Sequence, residues 1–267
     1  MPELAEVAYA CTLWEKGINQ RVQSVYTHPK SRVFREEKRA LYPREITGTM
    51  LRSAQTHGKQ MLFTFSGNIW LGLHLGMTGW LSREKPGYEP NKHDALVLIQ
   101  SKQCLVFRDP RQFGRLRIHL EKAAPSWWKE RPPSMLSKEF NYDLLSAVLQ
   151  RHQKRPLKAL LLDQRYFPGM GNWMADEVLW RACIHPESRS SQLNDSQKRN
   201  LYREVGTVAR GAMKTVGKHG GDPPANWLFH QRWKDGGTCP KSNLPLIRTQ
   251  VGGRTTCWSP SLQILDK

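Results

Sequence analysis

The chain has 267 residues, with 41 Lys and Arg against 23 Asp and Glu and a formal charge of +18. That length suits one large or two modest domains with a substantial core, and the positive excess points to a polyanionic partner such as nucleic acid. No run approaches the roughly 18–20 apolar residues of a membrane span, no charged-then-apolar leader opens the chain, and five scattered cysteines (Cys11, Cys104, Cys183, Cys239, Cys257) without a C-x-x-C pair fit a reducing cytoplasm rather than a disulfide scaffold.

The chain opens Met1-Pro2-Glu3-Leu4-Ala5-Glu6-Val7. If the initiator methionine is removed, Pro2 carries a free secondary amine, a nucleophile able to form an iminium with a sugar carbon. An α-amino group titrates near 8 (roughly 7.7–8.0) against about 10.4 for lysine, so part of it is unprotonated at neutral pH. Glu3 and Glu6 lie within a turn of it, placed for general acid–base work. By itself the segment also reads as an ordinary acidic helix start.

Leu4, Val7, Ala8, Cys11 and Trp14 recur at three- and four-residue spacing, which predicts a helix over 3–17. Short alternating or apolar runs follow at 22–26, 50–53, 61–65, 69–73, 95–99, 104–108 and 116–120. They are separated by turn residues such as Ser66-Gly67-Asn68 and Ser101-Lys102-Gln103. This pattern predicts an antiparallel β-sandwich or barrel. Pro125, Pro132 and Pro133 block regular structure in a Trp- and Lys-rich linker. Periodicity then turns helical, with helices expected near 142–151, 155–163, 173–182 and 195–216; Asn194 with Gln197 three residues on forms a capping signal for the last. A Gly/Pro-rich break at 217–224 precedes a tail of turns and short strands, 226–265. The expected organisation is a sandwich domain over 1–124, a linker over 125–140, a helical domain over 141–224 and a finger over 225–267.

Several short stretches carry chemistry. In Phe167-Pro168-Gly169-Met170-Gly171-Asn172 two glycines make a tight turn before a helix, where free N–H groups and the dipole at Asn172 would attract phosphate; a plain helical hairpin would use the same residues. His74-Leu75-Gly76-Met77-Thr78-Gly79 and Phe107-Arg108-Asp109-Pro110-Arg111-Gln112-Phe113-Gly114 adjoin strands. Met77, Arg111 and Phe113 from neighbouring loops would form a wedge able to fill the gap left by an extruded base, although buried Met and Phe are common in any core. His57-Gly58-Lys59-Gln60 is a basic turn entering a strand. Gly236-Gly237-Thr238-Cys239 and Gly252-Gly253-Arg254-Thr255-Thr256 suggest two arms of a β-hairpin with Arg254 near its tip.

Taken in order, PELAEV, HGK, HLGMTG, Lys92-His93-Asp94, FRDPRQFG, PGMGNWMADEVLWRACIHP and GGRTT cover nearly the whole chain, and together they resemble the formamidopyrimidine-DNA glycosylase / endonuclease VIII family of base-excision repair enzymes. The resemblance implies an α+β fold: an N-terminal helix plus antiparallel β-sandwich, then a helix–two-turns–helix domain with a C-terminal β-hairpin finger. It implies a bifunctional glycosylase and β,δ-elimination AP lyase acting through a Schiff base on Pro2. Glu3 would move protons at the sugar and Glu6 support the site. Lys59, Asn172 and Arg254 would grip phosphates around the lesion, joined by His74 and His93. Met77, Arg111 and Phe113 would fill the vacated space. Damaged DNA is the implied partner, bound by a monomer in the bacterial cytoplasm or nucleoid. Two rival readings use the same charge: a non-enzymatic reader of damaged DNA, and a basic RNA-binding protein.

The chain departs from that family in three places. Most bacterial members bind zinc in the finger through two C-x-x-C pairs, but here the corresponding positions read Cys239-Pro240-Lys241-Ser242 and Ser259-Pro260-Ser261-Leu262. Tetrahedral structural zinc normally wants four Cys or His ligands. A zincless finger is therefore expected, packed on Trp233, Leu246 and Trp258, with no metal or other cofactor; Cys257 stands two residues early for a ligand, with a rescue-ligand role left open. Ala5 and Ala8 replace the family's usual Pro and Glu, which loosens the helix entry without touching the amine or Glu3. The segment 214–227 is shorter than the loop that caps an oxidised purine in the formamidopyrimidine branch, which directs the expected lesions toward ring-opened purines, hydantoins or oxidised pyrimidines rather than 8-oxoguanine.

Overall fold

A computed structural model describes residues 2–35 and 38–265; Met1, on whose removal the expected nucleophile at Pro2 depends, lies outside the described residues. The chain divides into two compact units, one formed by Glu6–Arg131 with residues 1–2, the other by Pro132–Lys267 with Glu3–Ala5.

In the first unit, helix α1 (Leu4–Glu15) supplies Val7, Cys11 and Trp14 to the core. Eight strands follow: β1 (Val22–Thr27), β2 (Leu51–His57), β3 (Gln60–Phe65), β4 (Ile69–His74), β5 (Trp80–Glu84), β6 (Asp94–Gln100), β7 (Cys104–Arg108) and β8 (Arg115–Leu120). They form two antiparallel four-stranded sheets, ordered β1-β6-β7-β5 and β2-β3-β4-β8. The period-two alternation of side chains decides what each face meets. Leu96 and Leu98 of β6 join Leu105 and Phe107 in a core shared with Met61, Phe63, Leu71 and Leu73 of the other sheet, whereas Val97 turns outward to Val106 and Cys104. Trp14 tilts against Phe63 with ring centroids 4.8 Å apart. Each such fully buried side chain contributes about 1.5–3 kcal/mol.

Two elements of this unit differ from the sequence expectation. Strand β5 and the short helix α2 (Leu41–Ile46) were not anticipated, because neither has a clean period. In β5, Leu81 is buried while Trp80 is exposed, and pairing to β7 makes it a strand. The stretch expected to be a plain linker contains helix α3 (Ser126–Lys129). There Trp127 donates its indole N–H to His119 at 2.9 Å and lies on Gly72, where a Cβ would come within 2.7 Å of the ring.

The second unit holds α4 (Tyr142–Arg151), α5 (Leu157–Leu161), α6 (Asn172–Ala182) and α7 (Asp195–Ala212). Asn194 and Gln197 form the reciprocal capping box of α7. The helix runs on into a π-helical turn, Met213–Gly217, so the expected single helix to 216 changes its hydrogen-bond pattern near the end. Leu145, Leu160, Val178, Leu179, Leu201 and Val205 make the core. The finger hairpin pairs β9 (Ile247–Val251) with β10 (Arg254–Trp258). Gly252 (φ 58°) and Gly253 (φ 72°) close it in the two-residue, doubly positive geometry that matches strand twist. Gly236-Gly237-Thr238-Cys239 is therefore not an arm of this hairpin: Thr238 makes an isolated bridge to Pro245.

Candidate nucleic-acid and catalytic site

Glu3 is 2% exposed. Its carboxylate accepts the backbone N–H of Trp173 at 2.9 Å and of Met174 at 3.1 Å, two of the donors that the first turn of α6 leaves without helical partners. Negative charge at that end is also favoured by the helix dipole. Leu4 donates its N–H to the Gly169 carbonyl at 3.0 Å. Gly171 is small because Glu3 lies on it: a Cβ there would be 2.0 Å from the carboxyl carbon. Two of the N–H groups at the start of α6, those of Trp173 and Met174, are thus engaged by Glu3. Pro2, peptide-bonded to Glu3, and Glu6 are half-buried.

Asn172 gives its side-chain N–H to the Thr255 carbonyl at 2.8 Å, one residue beyond Arg254, which is exposed after the hairpin turn. Asn172 and Arg254 are thus brought together through β10. Beneath them sits a buried charge cluster that sequence reasoning missed. Lys158, 0% exposed, binds Asp176 and donates to the Asn172 carbonyl at 2.7 Å. The other oxygen of Asp176 accepts Arg232 at 2.6 Å and the Cys257 N–H at 3.1 Å. Lys158 has its pKa lowered by burial, opposed by the Asp176 charge. The only sequence signal was a Lys and an Asp within otherwise apolar helical patterns.

The remaining candidates lie in the first unit. His57 pairs with Gln60, so Gly58 (φ 58°) and Lys59 form a tight β2–β3 turn with Lys59 at its tip. His74 is held neutral, its pKa lowered to about 4 by burial and by the positive charges of Lys59, Arg115 and Arg117. Its Nδ1 accepts the Gly76 N–H at 3.0 Å, which leaves Nε2 as the protonated nitrogen. Met77 is half-buried on the turn closed by the Gly79 N–H to the Leu75 carbonyl at 2.9 Å. Phe113 is 47% exposed with the Arg111 guanidinium 4.8 Å from its ring centroid. Gly76 packs directly on the Phe113 backbone, so the Met77 and Phe113 loops touch. His93, half-buried, accepts the Asp109 N–H at its carbonyl, 2.9 Å away.

The four finger positions that the resemblance aligns with zinc ligands hold Cys239, Ser242, Ser259 and Leu262, one thiol among them. Trp180 donates to the Cys239 sulfur at 3.3 Å, and Ser261 lies 2.9 Å from the Ser242 hydroxyl and 3.0 Å from that of Ser259. Burial pushes the Cys239 thiol up, but hydrogen bonds from Ser242, Ser259 and Trp180 outweigh it and leave its pKa at about 7. The Cys257 thiol is pushed up to about 12 by burial and Asp176. Leu262 packs on the apolar cluster of Trp180, Leu228, Leu246 and Cys257. Among the described residues no three His, Cys, Asp or Glu are grouped to hold a metal. Leu246 is buried as expected, and Trp258 meets His185 edge-on at 4.3 Å. Trp233 corrects the expectation: it is 56% exposed, edging against Phe229 with the Arg232 guanidinium 4.6 Å from its ring centroid.

Among the described residues no helix is long and apolar enough to cross a membrane. Residues 1–116 match the model of the formamidopyrimidine-DNA glycosylase N-terminal domain, and residues 132–221 match that of its H2TH domain. A formamidopyrimidine-DNA glycosylase of Roseiflexus sp. is 32% identical over 98% of this chain and 100% of its own length; one from Thermus thermophilus is 33% identical over 81% and 83%. The wild-type Lactococcus lactis Fpg (MutM), solved with DNA containing N7-benzyl-Fapy-dG, matches with a TM-score of 0.86 at 26% identity, covering 98% of this chain and 99% of that one. With two family models in chain order and a full-length relative at this identity, the chain belongs to the formamidopyrimidine-DNA glycosylase family.

Proposed function

We propose that the protein is a base-excision-repair DNA glycosylase with AP lyase activity on oxidised or ring-opened bases, acting through the N-terminal amine of Pro2. The observation that carries this reading is the seat of Glu3 on the first turn of α6, which fixes the residue next to the nucleophile. The Pro2 nitrogen attacks C1′ of the damaged nucleotide and the C1′–base bond breaks, the base leaving with its electron pair and a proton. The Pro2 nitrogen sheds its proton, the C1′–O4′ bond opens with O4′ taking up a proton, and the ring-opened iminium this leaves acidifies the C2′ hydrogen; its loss expels the 3′ phosphate, and a second elimination expels the 5′ phosphate. Each carboxylate oxygen can accept more than one hydrogen bond, so Glu3 retains capacity to pass protons at the sugar while α6 orients it. Glu6 supports that turn.

Lys59, His74 and His93 from the first unit, and Asn172 and Arg254 from the second, contact phosphates; His74, being neutral, acts as a hydrogen-bond donor rather than a charge. Met77, Arg111 and Phe113 fill the vacated stack. The finger works without zinc, its turns tied by the Cys239–serine knot. The partner is damaged DNA, bound by a monomer in the cytoplasm. The short 214–227 segment supports ring-opened purines, hydantoins and oxidised pyrimidines over 8-oxoguanine; Lactococcus lactis Fpg has been solved with an oxidised-pyrimidine DNA as well.

Borohydride trapping on an abasic-site oligonucleotide tests the chemistry. A covalent adduct is expected from protein whose intact mass lacks Met1, and it should fall in Pro2→Gly, which retains only a primary amine. Correctly processed protein that gives no adduct, and that leaves the abasic strand uncut, would overturn the reading. A panel of lesion-bearing duplexes then ranks the substrates.

A further inference from the structure

Asp109 lies in the stretch FRDPRQFG but has no part in the chemistry above. It is 2% exposed, and its four polar groups are bonded to the Thr78 turn, the His93 loop and its own turn through Gln112 and Gly114. Its Oδ1 accepts the Thr78 hydroxyl at 2.9 Å, one residue after Met77. Its Oδ2 accepts the Gly114 N–H at 2.6 Å, one residue after Phe113. Its own N–H goes to the His93 carbonyl at 2.9 Å, and its carbonyl accepts the Gln112 N–H at 3.2 Å. Gln112 is held at φ 56°, and its carbonyl and side chain are further bound by Arg35 and Arg32. The two wedge loops meet with no room to spare: a Cβ on Gly76 would lie 2.5 Å from the Gly114 nitrogen, and one on Gly114 3.0 Å from Asp109 Oδ2.

We infer that Asp109 is a positioning residue for lesion interrogation: its single buried carboxylate locks the Met77 turn to the Arg111–Phe113 turn and sets the wedge that enters the base stack. This rests on the proposed role of Met77, Arg111 and Phe113 as void-fillers. A wedge made of three side chains on two loops discriminates only if their spacing is fixed, because insertion must offset a few kcal/mol of unstacking. Misplacement by about 1 Å is enough to cost on the order of 100-fold in rate. Without the carboxylate, the Gly114 N–H and Thr78 hydroxyl lose their common acceptor and the loops move independently. The amide of Asn can replace it: its oxygen accepts from Gly114, whose N–H cannot reverse, and its NH2 faces Thr78, whose hydroxyl can turn to accept.

The test compares Asp109→Ala, Asp109→Asn and Phe113→Ala in the full-length protein. Excision is measured in duplexes with the lesion opposite two different bases, and insertion by the fluorescence of 2-aminopurine opposite the lesion. Borohydride trapping on a single-stranded abasic oligonucleotide, which offers no stack to enter, serves as reference. Asp109→Ala should lose duplex excision by about tenfold or more beyond its loss on the single strand, flatten the opposite-base ratio, and abolish the fluorescence rise. Asp109→Asn should restore all three. Parallel loss on both substrates, or failure of Asn to rescue, would overturn the inference. So would an unchanged Asp109→Ala ratio while Phe113→Ala loses it. If Phe113→Ala itself leaves ratio and fluorescence intact, the wedge reading fails first and takes this inference with it.

Discussion

Replacing Gly171 by Ala tests whether the catalytic end of the chain is set by α6. Gly171 has extended backbone (φ −127°, ψ −164°), which any residue adopts, so the substitution acts through space alone. Its Cβ would lie 2.0 Å from the Glu3 carboxyl carbon and 2.3 Å from Oε1, separations no packing tolerates. Glu3 must leave, and with it go both bonds to the Trp173 and Met174 N–H groups. Each charge-assisted hydrogen bond is worth about 1.5–3 kcal/mol, so losing both costs about 3–6 kcal/mol. At about 2–4 °C per kcal/mol for a chain of this class, the melting temperature should drop by roughly 6–24 °C. At a temperature where circular dichroism shows the variant still folded, borohydride trapping should fall by about tenfold or more because Pro2 moves with its neighbour. Glu3→Gln, which keeps the shape and one acceptor, should lose about half as much stability. A Gly171→Ala protein with parental melting temperature and trapping rate would show that Glu3 does not sit on α6, and the positional argument for Pro2 would fail.

Asp176→Ala strands Lys158 and Arg232 as buried cations; removing one partner of such a cluster costs about 3–5 kcal/mol, to be read from the urea midpoint, and an unchanged midpoint would refute the cluster. Glu177 is fully buried with its pKa raised to about 8 by burial; Arg181 lies 3.8 Å away but is engaged by Glu204 at 2.9 Å. The unfolded chain ionises this carboxyl near pH 4.5 while the folded chain holds its proton to about pH 8, so its contribution is fully present below pH 4.5 and is lost as pH rises to 8. Glu177→Gln should therefore melt above the parent at pH 8, by on the order of a few kcal/mol, and converge with it near pH 4.5; a constant offset would contradict the burial argument. For the finger, elemental analysis should find no stoichiometric zinc and chelator should leave the melting temperature unmoved, whereas Cys239→Ala should lower it by removing the acceptor of Trp180, Ser242 and Ser259.

The sequence by itself determined the periodic elements, the order of the motifs and the charge. Periodicity is a local property: residues two, three or four apart share a face wherever a regular element forms, so α1, the sandwich strands, α4, α6 and α7 could be read without any long-range contact. The Gly252-Gly253 turn was legible for the same reason, since only glycine adopts two positive φ values freely, though its partner arm was misjudged. Tertiary structure alone decided whatever depends on residues far apart in the chain. Strand β5 exists because β7 offers it a ladder. Two backbone N–H groups at the start of α6 are occupied because a carboxylate 170 positions earlier reaches them. Lys158, Asp176 and Arg232 form one cluster because three separate segments converge, and Asp109 joins three loops whose spacing no local pattern encodes. A buried polar group must find a partner, but which partner it finds is settled only when the chain packs.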